Sequence, residues 1–129
     1  MTHPLIQRLH DEFDYPALDL DGVDAFLGEP GVAVLFFPGD PARFKDTTDV
    51  AVVLPEVVKA FNGRLRAAVV TDPETDKALY ARYEFGKWPS LVFMQGDKKL
   101  GHITGIKDWG EYLQRASEML NSAETAGAA

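Results

Sequence analysis

The stretch from Tyr83 to Phe93 has the sequence Tyr-Glu-Phe-Gly-Lys-Trp-Pro-Ser-Leu-Val-Phe, and it decides which fold the chain adopts. A helix predicted over residues 73–83 ends as the stretch begins, because the glycine and proline that follow are both unfavourable inside a helix. Apolar residues 91–94 then predict a buried strand. The stretch therefore contains a helix end, a short loop with one proline, and the start of a strand.

Alternating helix and strand signals continue on both sides of this stretch. Apolar residues at helical spacing predict further helices at residues 4–13, 23–27, 49–62 and 109–120. Apolar runs predict further strands at residues 32–37, 65–70 and 100–104, and residues 17–20 are the candidate for a short first strand. Crossovers followed by a hairpin and a last helix predict an α/β fold, in which helices cover both faces of a mixed central sheet.

The length of 129 residues fits one domain, which we expect at residues 1–121. The small residues at 122–129 predict a flexible C-terminal tail. The chain contains no cysteine, and its hydrophobic content of 46% is typical of a domain with an ordinary core.

Acidic residues outnumber basic ones by 20 to 13, so the formal net charge is -7. This charge argues against nucleic acid or an anionic membrane surface as a partner and favours a basic segment. The longest apolar run, residues 32–37, is too short to cross a bilayer. Residues 1–10 lack the pattern of a secretory signal, so we expect a cytoplasmic protein without membrane insertion.

The stretch from Tyr83 to Phe93 resembles the part of thioredoxins where a helix ends and a cis-proline, here Pro89, precedes a buried strand. The turn at residues 95–97 and the final amphipathic helix also fall where thioredoxins place them. Pro55 lies where those proteins have the kinking proline of their second helix. The resemblance covers about residues 19–120 and implies a thioredoxin-like fold.

Thioredoxins have a Cys-x-x-Cys motif after their first central strand, and this chain departs from that pattern. Counted from Phe37, the two positions fall near Pro41 and Phe44, in a long polar loop without sulfur. Because a thiolate is the group that attacks a disulfide, thiol–disulfide exchange is excluded.

An acidic, cysteine-free thioredoxin-like chain with Phe-Phe-Pro-Gly-Asp-Pro at residues 36–41 is similar to the hydrogenase expression/formation proteins of the HupG/HyaE family. The resemblance implies a cytoplasmic accessory chaperone in nickel–iron hydrogenase maturation, with no catalytic activity and no cofactor. The implied partners are the precursor of the hydrogenase small subunit or its twin-arginine signal peptide, and other maturation factors.

Trp88 and Pro89 are the first candidate binding residues. In thioredoxin-like proteins, the loop at the cis-proline exposes the backbone of the preceding residue, here Trp88, to an extended peptide. The alternative is that Pro89 only shapes the fold while Trp88 packs internally, since buried aromatic residues are common.

Asp40, Asp46 and Asp49 lie in or just after the long loop, at the edge where the cysteines would have been. They can receive arginines of a signal peptide through charge-assisted hydrogen bonds. The alternative is a solvated loop and a helix N-terminus that favours carboxylates. Phe44 either tucks under the loop or contacts an apolar segment of a partner.

The sequence contains no recognisable catalytic or metal-binding motif. His3, His10 and His102 are not spaced as a ligand set, so we expect no metal site. No Gly-x-Ser-x-Gly motif or phosphate-binding loop is present. Three hypotheses follow, in order of preference: a non-catalytic chaperone, a redox-inactive scaffold that docks other maturation proteins, and an enzyme of unrecognised type.

Overall fold

A computed structural model of the chain describes residues 3–128, with side chains described for residues 3–123. The described part of the chain contains five helices and four strands. The helices are α1 (Pro4–Asp11), α2 (Leu20–Leu27), α3 (Thr47–Ala60), α4 (Pro73–Tyr83) and α5 (Trp109–Ala128). The strands are β1 (Val32–Phe37), β2 (Leu65–Val69), β3 (Ser90–Gln95) and β4 (Lys98–Thr104).

The sheet is mixed, with strand order β2-β1-β3-β4. Strand β1 runs parallel to β2 and antiparallel to β3, which forms the predicted hairpin with β4. All six residues of β1 are buried because the strand lies in the middle of the sheet.

Alternate residues of β1 point into two separate cores, one on each face of the sheet. Val34 and Phe36 pack with α1, α3 and α5, whereas Leu35 and Phe37 pack with α2 and α4. Helices therefore cover both faces, and the predicted fold class is confirmed.

The strand predicted at residues 17–20 is wrong. Ala17 forms a single parallel bridge with Val69, and helix α2 begins three residues later. The carboxylate of Asp19 accepts a hydrogen bond from the backbone N–H of Gly22 at 2.7 Å. This N-cap starts the helix where a strand was expected, because it satisfies one of the free donors of the first turn.

Helix α5 continues past residue 121, where the predicted domain ends. Ala123 is 1% exposed and belongs to the core that α5 shares with α1 and α3. The compact part of the chain therefore extends at least to residue 123. The side chains beyond it lie outside the described residues, so the predicted flexible tail stays a prediction.

Two connections bring the ends of β1, α4 and β3 close together. Residues 38–46 connect β1 to α3, and residues 84–89 connect α4 to β3. Pro55 lies inside α3, as predicted. Within residues 3–128, no helix is both long and apolar enough to span a bilayer.

Candidate functional site

Trp88 is the centre of an aromatic cluster where the loop after α4 meets β3. Tyr80 stacks on the indole with ring centroids 4.7 Å apart and planes inclined by 13°. Phe85 meets it edge-on at 5.7 Å, and Phe44 lies tilted against it at 5.8 Å. Such contacts hold a large side chain in one position, although Trp88 is only half-buried.

The indole N–H of Trp88 donates to the carboxylate of Asp76, and both carboxylate oxygens lie 3.0 Å from the nitrogen. Asp76 and Tyr80 are four residues apart on α4, so they lie on the same face of that helix. Burial raises the pKa of Asp76, and the hydrogen bond from Trp88 opposes part of that effect. The residue is therefore a partly desolvated acid.

Helix α4 is held in place at its N-terminus, which fixes the position of Asp76. The carboxylate of Asp72 accepts hydrogen bonds from the backbone N–H of Thr75 at 3.0 Å and from its hydroxyl at 2.6 Å. Pro73 occupies the first helical turn, where its missing N–H costs no hydrogen bond. The sequence Asp-Pro-Glu-Thr therefore sets where the helix begins.

The loop of residues 38–46 turns back toward Trp88 through hydrogen bonds of Asp40. The backbone carbonyl of Asp40 accepts from the N–H groups of Arg43 at 2.9 Å and Phe44 at 2.8 Å. Its carboxylate accepts from the N–H of Ala42 at 3.0 Å. These bonds form a turn that returns Phe44 to the indole ring.

Gly39 is the point of closest approach between this loop and the aromatic cluster. Its φ angle is +71°, in the region that favours glycine. A Cβ atom added here would lie 2.7 Å from Phe44 Cδ2 and 2.7 Å from Trp88 Cβ. Any larger residue would push the loop away from Trp88.

An open groove of about 480 Å³ lies between this loop and α4. Three aromatic rings and two carboxylates contribute to its walls, and two cationic side chains, Arg43 and Lys77, stand at its exposed rim. We call this space the Trp88 groove. Its lining residues are Pro38, Gly39, Asp40, Arg43, Phe44, Val70, Thr71, Pro73, Asp76, Lys77, Tyr80 and Trp88.

The backbone beside the Trp88 groove has free hydrogen-bonding groups. Among the described residues, none forms a hydrogen bond with the backbone N–H or C=O of Trp88. The Trp88–Pro89 peptide bond is cis, and the carbonyl of the buried Pro89 accepts a hydrogen bond from the N–H of Gly105 at 2.8 Å. An extended ligand therefore has a main-chain donor and acceptor available at Trp88.

The structure brings together only some of the predicted site residues. Asp40, Phe44 and Trp88 line the groove, and Pro89 lies next to it in the chain. Asp46 and Asp49 are not among the lining residues, because both belong to the N-terminus of α3.

Asp46 and Asp49 lie instead near the loop that precedes α5. A carboxylate oxygen of Asp46 accepts from the backbone N–H of Ile106 at 3.3 Å. Burial raises the pKa of Tyr112, whose hydroxyl donates to the Gly105 carbonyl. The hydrogen bond from the backbone N–H of Lys107 lowers this pKa, and the charges of Asp46, Glu111 and Asp49 raise it. Asp46 and Asp49 therefore lie outside the groove, close enough to Tyr112 for their charges to act on its hydroxyl.

Sequence patterns did not identify Asp76 or Tyr80 as site residues. Their four-residue spacing on the helix that precedes Trp88 is the signal that could have identified them. The orientation of that helix toward the loop after β1 is a tertiary property, so the spacing alone did not assign them to a site. Within the described part of the chain, no three His, Cys, Asp or Glu side chains are placed to hold a metal ion.

A family model for the Hydrogenase-1 expression protein HyaE matches residues 5–112. The hydrogenase expression/formation protein HoxO of Azotobacter vinelandii is 48% identical over 120 residues, which cover 93% of this chain and 80% of that protein. HupG of Rhizobium leguminosarum bv. viciae, a protein of the same description, is 44% identical over 125 residues, covering 94% and 83% of the two chains.

Two solved structures are similar to this chain. The crystal structure of the hydrogenase expression/formation protein HupG from Rhodopseudomonas palustris CGA009 superimposes with a TM-score of 0.59 at 41% identity. The match covers 84% of this chain and 97% of the other. A designed protein with 18% identity superimposes with a TM-score of 0.64, which supports the fold alone. The chain belongs to the HyaE family of hydrogenase expression/formation proteins.

Proposed function

We propose that this chain is a non-catalytic, cytoplasmic chaperone that holds an extended segment of a hydrogenase precursor in the Trp88 groove. The segment is the twin-arginine signal of the small-subunit precursor, which combines basic residues with an apolar stretch. The observation that supports this proposal most is the groove itself, because it combines exposed aromatic surface with carboxylates in one open space.

The aromatic walls suit the apolar part of such a segment. Tyr80 and Trp88 present large, firmly positioned rings, and aromatic residues of this kind dominate the energetics of many binding sites. The groove of about 480 Å³ has room for a few side chains and not for a folded domain. An extended peptide is therefore the form of ligand that fits.

The unpaired backbone groups of Trp88 suit the main chain of the segment. A peptide that lies alongside Trp88 can form main-chain hydrogen bonds there, while its side chains alternate between the groove and solvent. Main-chain pairing supplies affinity that does not depend on sequence, and the groove adds selectivity.

The carboxylates suit the basic residues of the segment. Asp40 lies on the groove wall, and Asp46 and Asp49 lie outside the groove, near Tyr112. We propose that these aspartates attract arginines that extend beyond the groove. The net charge of -7 adds long-range attraction for a basic segment.

The two tryptophans of the chain allow a direct test. In a Trp109→Phe variant, Trp88 is the single fluorescent indole, and the exposed position 109 tolerates the change. Titration with a synthetic peptide that contains two adjacent arginines and an apolar stretch is expected to give a saturable change in Trp88 emission. A scrambled peptide of the same composition serves as the control.

The reciprocal Trp88→Phe variant leaves Trp109 as the only reporter. If peptide binding changes Trp109 emission in this variant while Trp88 stays silent in the first, the Trp88 groove is not the binding site. If neither variant responds and calorimetry detects no heat of binding, the chain does not bind the signal segment.

A scaffold that docks other maturation proteins, or a second copy of the chain, is the second candidate function. Two large apolar side chains favour it, since Trp109 is 46% exposed and Val52 is 44% exposed, and neither lines the groove. Under this alternative, Val52→Ser and Trp109→Ser abolish complex formation, measured by co-purification of maturation proteins, and changes at Trp88 leave it intact. The chaperone proposal predicts the reverse pattern.

A further inference from the structure

Asp76 is a partly buried carboxylate on the wall of the Trp88 groove. Within the part of the chain whose side chains are described, no ion pair within 4.0 Å involves Asp76. Its hydrogen-bond partner is the indole N–H of Trp88, which is neutral. A carboxylate oxygen has more than one lone pair, so Asp76 can accept further hydrogen bonds on the groove side.

Placing an unpaired charge in a partly desolvated position costs folding free energy. Burial accordingly raises the pKa of Asp76. A neutral acceptor such as asparagine or glutamine could receive the indole N–H without that cost. The charge of Asp76 is therefore better explained by a positively charged ligand than by the packing of Trp88.

We propose that Asp76 and the ring of Tyr80 form a subsite for the guanidinium group of an arginine in the bound segment. The arginine lies flat against the exposed aromatic surface and donates two parallel N–H bonds to the Asp76 carboxylate. This inference rests on the proposed function for the origin of the arginine, and it identifies the groove residue that receives it.

The aromatic wall favours a guanidinium over the ammonium group of a lysine. A guanidinium is planar and weakly hydrated, so it stacks on rings and pairs with a carboxylate in a bidentate manner. Arg43 shows the ring contact within the chain, since its guanidinium carbon lies 5.5 Å from the centroid of the Phe44 ring. A lysine ammonium offers only a point charge to the same carboxylate.

The chain's own cations at the groove do not occupy this subsite. Arg43 lies over Phe44, on the loop side of the groove, and Lys77 is exposed at the rim. Neither forms an ion pair with Asp76 in the described structure. The space beside Asp76 and Tyr80 therefore stays open to an arginine from outside.

The test uses N-acetyl-arginine amide as the probe and the two indole N–H signals of the ¹⁵N-labelled protein as the readout. The Trp88 signal reports directly on Asp76, because that N–H donates to its carboxylate. The Trp109 signal is an internal control in the same spectrum. N-acetyl-citrulline amide, which has the same shape without the charge, and N-acetyl-lysine amide are the matched probes.

We expect the arginine probe to shift the Trp88 signal in a saturable way and to leave the Trp109 signal in place. The citrulline probe gives no saturable shift, and the lysine probe binds several-fold more weakly. Asp76→Asn keeps an oxygen that accepts the indole N–H and weakens arginine binding by about tenfold, as expected for the loss of a charge-assisted bidentate pair. Asp40→Asn removes the other groove carboxylate and weakens it by less than about threefold.

The inference is overturned if wild type and Asp76→Asn bind the arginine probe with equal affinity, or if the Trp88 signal does not shift at any probe concentration. A larger loss in Asp40→Asn than in Asp76→Asn also overturns it, because the subsite is then elsewhere in the groove. The arginine probe and the signal peptide are separate ligands. If the probe binds at Asp76 while the peptide does not bind, the proposed function fails and the subsite stands. If the peptide binds while the probe does not bind at Asp76, the subsite alone is refuted.

Discussion

At Gly39 the backbone passes close to two aromatic side chains that line the groove. Both its φ angle of +71° and the 2.7 Å approach of Phe44 and Trp88 require a residue without a side chain. Gly63 has a similar φ of +82°, but a Cβ there would meet nothing within 4 Å. Comparing the two positions separates the cost of backbone conformation from the cost of crowding.

We predict that Gly63→Ala lowers the free energy of unfolding by about 1 kcal/mol, through backbone strain alone. Gly39→Ala loses roughly 1–3 kcal/mol more, because it also forces Phe44 or the loop away from Trp88. Urea unfolding of both variants measures the difference, and Trp88 emission in a Trp109→Phe background reports the displaced ring. Equal losses in the two variants would show that the loop does not pack against Trp88 as described.

At the scale of elements, the loop between β1 and α3 forms one wall of the groove and is fixed by the first residue of α3. The buried hydroxyl of Thr47 donates to the backbone carbonyl of Pro38, and the N–H of Thr47 donates to the carbonyl of Phe44. One residue therefore connects both ends of the segment that returns Phe44 to Trp88.

Thr47→Val replaces this hydroxyl with a methyl group of similar size. The carbonyl of Pro38 then loses its donor in a buried position, so we predict a loss of about 1–3 kcal/mol in the free energy of unfolding. Thr47→Ser keeps the hydroxyl and is the control, with a smaller loss. Hydrogen exchange of the Phe44 amide measures whether the loop opens. An unchanged exchange rate in Thr47→Val would contradict this role of the hydroxyl.

On the scale of the whole molecule, cationic groups cluster locally although the net charge is negative. The formal charge is -7, yet His102 lies beside the cationic groups of Lys99 and Arg115. Burial, followed by these two charges, lowers the pKa of His102. The local surroundings therefore lower the pKa of His102, whereas the negative net charge of the chain favours its protonated form.

Protonation of His102 is less favourable in the folded state than in the unfolded chain, so the folded state binds fewer protons. Stability contributed by the neutral histidine is present above the unfolded pKa of about 6.5 and is lost as the pH falls below that value. His102→Gln removes this contribution to the pH dependence. We predict that chemical denaturation between neutral pH and about pH 5 shows a smaller decrease in stability for the variant than for wild type. Parallel curves would contradict the lowered pKa.

Strand β1 and the helices that precede and follow it in the chain, α2 and α3, could be predicted because their sequence patterns are local. An uninterrupted apolar run predicts a strand buried on both faces, and the structure gives β1 over Val32–Phe37. The strand expected at residues 17–20 could not be distinguished from a helix start, because Asp19 acts as an N-cap there. Helix α5 and the buried Ala123 extend past residue 121, since small residues also belong to the packed part of α5, and the domain bounds at residues 1–121 stay a prediction.

The amino-acid sequence by itself determined the α/β class, the absence of thiol chemistry, the acidic charge and the position of the loop between α4 and β3. These properties depend on composition and on neighbours in the chain. Only the tertiary structure decided which side chains share a groove: it placed Asp76 and Tyr80 of α4 beside Trp88 and left Asp46 and Asp49 near Tyr112. The physical reason is that the packing of α4 and the β1–α3 loop against the sheet sets these distances, and residues far apart in the chain determine that packing.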